Sequence, residues 1–151
     1  MILKILSFIT DGKQFLALRN NPHPRHGGDF WFVVTGAIEG EESDKDAVTR
    51  EIKEETGLES EEILFLNWGS IYDWKNKICR ELNFITFVKK GKIVLNEEHV
   101  QYEWLNLKDF VNKIKWGDNK EILRIVLRKA VNKEIYFKDE TIEDYTLRNK
   151  K

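Results

Sequence analysis

The chain has 151 residues, enough for one domain with a real core. Its 25 Lys and Arg against 26 Asp and Glu leave a net charge of −1, so no broad basic excess exists to grip a nucleic-acid backbone, and no apolar run approaches a membrane span. Cys79 is the sole cysteine, which excludes an internal disulfide and suits a reducing cytoplasm. The N-terminal MILKILSFIT alternates and reads as a strand rather than a signal peptide. Residues 2–9 and 14–19 predict a hairpin around Asp11-Gly12. Residues 20–30 hold both prolines and two glycines and read as a loop, before a short buried strand at 31–35.

A helix is predicted next. Ser43 can cap it, and Gly57 is a natural stop after Thr56. Strands at 62–70 and 78–89 follow, with a turn at Lys90-Gly91, a possible return at 92–95, and a further strand at 101–105. Helices are expected at 107–115 and 118–132, the second with Ile122, Leu123, Ile125, Val126 and Ala130 on a broad apolar side. Past 133 the reading is open: Ile135-Tyr136-Phe137 could add an edge strand, and the rest frays. No linker or internal repeat divides residues 1–151, which read as one domain.

The chemistry concentrates on the first helix. At 3.6 residues per turn Glu51 and Glu55 share one face, Glu54 flanks them, and Val48 and Ile52 turn toward a sheet. Like charges at i and i+4 oppose helix formation. Two carboxylates about 5 Å apart repel by roughly 3 kcal/mol at an effective dielectric of about 20. A divalent cation offsets that repulsion, and a hard, all-oxygen cluster suits Mg²⁺ or Mn²⁺ better than Zn²⁺. A solvated acidic face partnered by Arg50 and Lys53 is the plainer alternative.

The spacing decides between them. Gly36, Glu42, Arg50, Glu51, Ile52, Glu54, Glu55, Gly57 and Leu58 fit the pattern G-x5-E-x7-R-E-U-x-E-E-x-G-U, with U aliphatic. In this the chain resembles the Nudix hydrolases. The likeness extends to DFWFVVTG at 29–36, EHVQYEWL at 98–105 and Lys115-Trp116-Gly117-Asp118-Asn119-Lys120. Over about residues 29–130 it is most similar to the bacterial dihydroneopterin triphosphate pyrophosphatases, also described as dATP pyrophosphohydrolases. Asymmetric diadenosine tetraphosphate hydrolases share the E-H-x-x-Y-x-W-L piece, but they usually carry Pro-Lys-Gly before the box. The chain departs from the family at 20–28, where His23, Arg25 and His26 form an apparent insertion, and past 133.

The resemblance implies an α+β fold, an α/β/α sandwich whose mixed sheet carries the box helix on one face and a C-terminal helix on the other. It implies Mg²⁺- or Mn²⁺-dependent hydrolysis of a phosphoric anhydride by attack of water on phosphorus. The substrate would be a nucleoside triphosphate or dihydroneopterin triphosphate, with pyrophosphate and a monophosphate as products. A diadenosine polyphosphate or other nucleotide derivative is the alternative substrate, and a Nudix-fold sensor without turnover the alternative class. By the same resemblance Glu51, Glu55, Glu54, Glu98 and the Gly36 carbonyl are metal ligands. Arg50 ties the carboxylates together, Glu42 anchors the loop, and Glu98 is the candidate to orient water. Arg19, Arg25, Trp31, Thr35 and Trp116 are the substrate-binding candidates, with surface charge and core packing as the competing readings. His99 is weighed as an acid or base and ranked behind Glu98. The expected partner is a small nucleotide or pterin triphosphate, neither nucleic acid nor membrane, bound by a cytoplasmic monomer or homodimer.

Overall fold

The computed structural model describes residues 1–134, apart from the side chains of 67–71 and 74. Its first strand, β1 (Ile2–Thr10), organises the rest. Ile5 and Ile9 point to one layer while Leu6 and Phe8 point to the other, and all four are buried. The chain returns antiparallel as β2 (Phe15–Asn20) after a turn closed by Asp11 Oδ1, which accepts from the amides of Lys13 and Gln14 at 2.9 and 2.7 Å. Gly12 takes φ +100° in that turn, a conformation side chains resist.

The strand expected at 31–35 is two strands. In β3 (Trp31–Phe32) the chain pairs with β2, and in β4 (Val34–Ala37) it pairs with β1. The break at Val33 lets one segment cross from one partner to the other. Helix α1 (Asp44–Thr56) then forms under a capping box, with Ser43 and Asp46 bonding each other's backbone amides and Gly57 closing the end at φ +77°. Val48 and Ile52 are fully buried against the Ile5–Ile9 layer.

Strands β5 (Ser60–Trp74) and β6 (Lys77–Val88) make an antiparallel hairpin, β5 running past its expected bounds. Lys75 and Asn76 both have positive φ, 51° and 63°, as a two-residue hairpin turn demands. That turn lacks a glycine, so the sequence hides it. β6 lies parallel to β1 along its whole length, from Ile2↔Cys79 to Thr10↔Phe87. Residues 92–95 form no return strand. Their backbone turns aside to α1 instead: the Val94 amide donates to Thr56 O at 2.9 Å, and Ile93 and Leu95 pack on the α1-side core.

Strand β7 (His99–Leu105) pairs with β2, and α2 (Leu107–Lys113) and α3 (Lys120–Val131) cover the second face, capped by Asn106 and Asn119. Phe110 sits there in ring contact with both Phe8 and Phe15, each fully buried, at about 1.5–3 kcal/mol per side chain. In α3, Leu123, Leu127 and Ala130 face the core, whereas Ile122, expected on that side, is exposed. The mixed sheet thus lies between α1 and the α2–α3 pair, as expected of an α/β/α arrangement. The edge strand considered at 135–137 and the tail lie outside the described residues.

Candidate active site

The α1 carboxylates meet the sheet at Gly36. This residue pairs with Ile5, so its missing side chain would point toward α1, and Glu51 occupies that space. Arg50 holds the cluster from outside. Its Nη1 donates to Glu51 Oε1 at 2.8 Å and to Glu54 Oε2 at 3.4 Å, Nη2 to Glu42 Oε1 at 2.7 Å and Ala37 O at 3.0 Å, and Nε to Glu42 Oε2 at 3.1 Å. Glu42 Oε1 also accepts the Glu39 amide at 2.8 Å, which closes the loop before the helix. The paired hydrogen bonds to Arg50 hold the Glu42 carboxyl below its ordinary range, against a smaller effect of burial.

Glu55 lies deeper. Ligand atoms of Glu55, Glu98 and His99 all fall within 4.8 Å of one another. Glu98 therefore reaches the helix carboxylates although it belongs to the loop before β7. Glu55 Oε2 is buried with no donor facing it. Burial, the Glu51 carboxyl beside it and the charge of Glu98 push Glu55 up to about 11. Burial raises Glu51 as well. Crowded carboxylates, with Glu55 Oε2 buried and undonated among the described residues, suit a hard divalent cation, so the residues present fit Mg²⁺ or Mn²⁺.

His99 Nδ1 stands 3.4 Å from Glu55 Oε1. Burial, aided by His26, lowers His99 to about 4, so it faces Glu55 as a neutral imidazole near pH 7. His99, ranked behind Glu98 from sequence, stands in the same group of ligand atoms. A bulge follows it: Arg19 pairs with Gln101 and Asn20 with His99, leaving Val100 as the extra residue.

The cluster opens on a cavity of about 880 Å³. Thr35, Gly36, Arg25, Glu55, Glu98 and His99 line it, with Lys4, Lys75, Phe30 and Phe32, which sequence reading missed. The loop at 20–28 forms one wall around a 3₁₀ turn, Pro24–His26. Asn20 Nδ2 donates to the carbonyls of His26 and Gly28, each at 2.7 Å, and the Asn21 amide donates to Glu98 O at 2.9 Å. That loop is thus tied directly to the backbone of Glu98.

The remaining candidates sit elsewhere. Both oxygens of Asp29 take hydrogen bonds from the Arg19 fork, at 2.9 and 2.8 Å. Lys113 Nζ lies 4.2 Å over the Trp31 ring. Trp116 packs 5.8 Å from Phe8 and stacks on Phe32 at 6.4 Å, behind the cavity wall. Glu54 is exposed beside Arg50 and does not line the cavity.

Residues 3–125 match the NUDIX domain family. A dihydroneopterin triphosphate diphosphatase of Haemophilus influenzae is 27% identical over 138 residues, covering 80% of this chain and 82% of that protein. The structure of the E. coli dihydroneopterin triphosphate pyrophosphohydrolase superposes with a TM-score of 0.63 at 24% identity, over 83% of this chain and 95% of that one. A C. elegans Ap4A hydrolase superposes with a TM-score of 0.64 at 20% identity, over 89% and 98%. Both superpositions speak to the fold alone.

Proposed function

The chain belongs to the NUDIX domain family, and on that premise we propose that it is a pyrophosphohydrolase of a nucleoside triphosphate or dihydroneopterin triphosphate, releasing pyrophosphate and a monophosphate. The observation that carries this reading is the cavity with two kinds of wall. Glu55, Glu98 and Gly36 stand on one side, and Lys4, Arg25 and Lys75 supply cations for phosphate oxygens. Phe30 and Phe32 give a flat ring an apolar surface. The named diphosphatase relative supports the triphosphate class.

Glu51, Glu55, Glu98 and the Gly36 carbonyl would hold a divalent cation, which would supply charge neutralisation for the polyphosphate and lower the pKa of the attacking water. The protein's own groups do the rest. Arg50 fixes Glu51 against Gly36, so the carboxylate needs no reorganisation when substrate arrives. Glu98 accepts a proton from the attacking water, and His99 stands beside Glu55, its Nδ1 3.4 Å from Oε1. Glu54 joins as a further ligand by turning its exposed side chain. Thr35 offers a hydroxyl to a phosphate oxygen or ring edge, and Arg25, half free of its 3.9 Å contact with Glu97, swings onto phosphate. The buried lone Cys79 agrees with a cytoplasmic setting.

A screen of dNTPs, dihydroneopterin triphosphate, dinucleoside polyphosphates, ADP-ribose and nucleotide sugars with Mg²⁺ tests this reading. Pyrophosphate plus a monophosphate is the expected outcome. Cleavage of diadenosine tetraphosphate to ATP and AMP with a kcat/KM more than about tenfold higher, a difference of about 1.4 kcal/mol, replaces it with the dinucleotide reading.

A further inference from the structure

We propose that Glu81 reads the ring edge of the substrate, and that the preferred ring presents two adjacent N–H donors, as the 2-amino-4-oxo edge of guanine or a pterin does. This rests on the triphosphate reading above and names the substrate class within it.

The argument starts from register. Lys4 pairs with Ala37 of β4 on one side and with Glu81 of β6 on the other, and residues directly opposite share a face of the sheet. Ile2, Lys4, Thr35 and Ala37 line the cavity. Glu81 therefore continues that floor by one strand, about 4.8 Å further on. Two residues along, Leu6 lies opposite Asn83, which is 4% exposed, with an Oδ1 that meets no donor among the described residues. Two side chains offering acceptors thus stand on one face of β6, on the strand next to a cavity floored by Ile2, Lys4, Thr35 and Ala37.

Glu81 takes no part in the Glu51–Glu55–Glu98 cluster. Burial raises its carboxyl, opposed by the charge of Lys4 and by the Tyr72 hydroxyl bonded to it. As an anion it offers acceptors only, and two oxygens side by side match a ring N–H beside an exocyclic amino group. Adenine presents a donor beside an acceptor and matches poorly. Glutamine reverses this, because its amide pairs one donor with one acceptor. A ring whose edge reaches Glu81 can lay its face on Phe30 and Phe32. If Lys4, Glu81 and Tyr72 merely stapled the sheet, losing the charge would affect every substrate alike.

The test measures kcat/KM at pH 8 for dGTP, dihydroneopterin triphosphate and dATP in the wild type, Glu81→Gln and Glu81→Ala. Binding of the α,β-methylene analogues of dGTP and dATP is measured in parallel, with thermal melting to confirm folding. The wild type is expected to prefer the two 2-amino-4-oxo substrates over dATP by at least tenfold. Glu81→Gln should lower both by at least tenfold while dATP changes less than twofold or improves, and Glu81→Ala should erase the preference. A wild type that favours dATP, or a uniform fall across all three in either variant, overturns the proposal. Should the wild type release no pyrophosphate yet bind the dGTP analogue selectively through Glu81, the hydrolase reading falls and the ring assignment stands. Turnover with a ring preference that Glu81→Gln leaves unchanged sinks only the assignment.

Discussion

A Cβ built on Gly36 would fall 2.7 Å from Glu51 Cγ and nearer still to its carboxyl. The glycine is there for close approach, since its φ lies outside the left-handed range. Gly36→Ala should therefore displace the Glu51 carboxylate without disturbing the β1–β4 ladder. We expect kcat to fall about 10- to 100-fold, roughly 1.4–2.7 kcal/mol in the barrier, with little change in Tm. Steady-state kinetics beside thermal melting checks this. Full activity would mean that Glu51 does not act from its position against Gly36.

Arg50 reaches Glu42, Glu51, Glu54 and the Ala37 carbonyl at once. No lysine rotamer reproduces that planar fork. Arg50→Lys should cost about 1–3 kcal/mol of stability, the range for losing charge-assisted hydrogen bonds, and should lower kcat more than it raises KM. Denaturant melts and kinetics on the same preparation separate the two effects. Wild-type behaviour in both would show the network to be dispensable.

Glu55 gives the metal-free protein a pH signature. Its folded value, about 11, exceeds the ordinary 4.5, so its contribution to stability is complete below pH 4.5 and is lost as pH rises toward 11. His99 acts oppositely and lower: its value drops from 6.5 to about 4, so its contribution is lost as pH falls through that window. Tyr72, raised from 10 to about 12, enters only above pH 10. Between pH 7 and 9, then, chelator-treated protein should melt at falling temperature as pH rises, and Glu55→Gln should flatten that slope and raise Tm. Mg²⁺ or Mn²⁺ should restore the wild type and help the variant less. A flat wild-type profile in chelator would contradict the burial of an uncompensated carboxyl.

Local signals made α1 legible. Ser43 and Gly57 mark its ends through backbone chemistry that any helix shares, and the spacing of Glu51 and Glu55 fixes their common face. The approach of Glu98 to Glu55 is legible only by resemblance, because no periodicity links a loop to a helix 43 residues away. His99 ranks low from sequence and Lys4 escapes it, for different reasons. A bulge at Val100 turns His99 toward the cavity, and bulges leave little trace in a strand pattern. Lys4 reads as a solvent-facing alternation until β6 is known to lie beside β1, a parallel pairing made by two distant segments. Residues 92–95 look like a strand because Ile93, Val94 and Leu95 are apolar, yet that apolarity serves to cover α1. Among the aromatics, the alternation at 30–32 allows either parity, and in the structure Phe30 and Phe32 line the cavity, with Trp31 under Lys113.

Glu98 carries the last prediction. Its amide is held by Asn96 Oδ1 at 3.0 Å and its carbonyl by the Asn21 amide at 2.9 Å, so its backbone is fixed while its side chain is exposed toward the cluster. A group that takes a proton from water acts in the transition state more than in substrate binding. Glu98→Gln keeps shape and hydrogen-bonding reach but removes the basicity, so kcat should drop by about 10²–10⁴, the usual contribution of acid–base catalysis, while KM stays within about threefold. His99→Gln is the control, because a positioning group replaced by a neutral amide should lower kcat less. Equal losses in kcat and in substrate affinity for Glu98→Gln would limit Glu98 to holding cation or phosphate and leave the attacking water to Glu51.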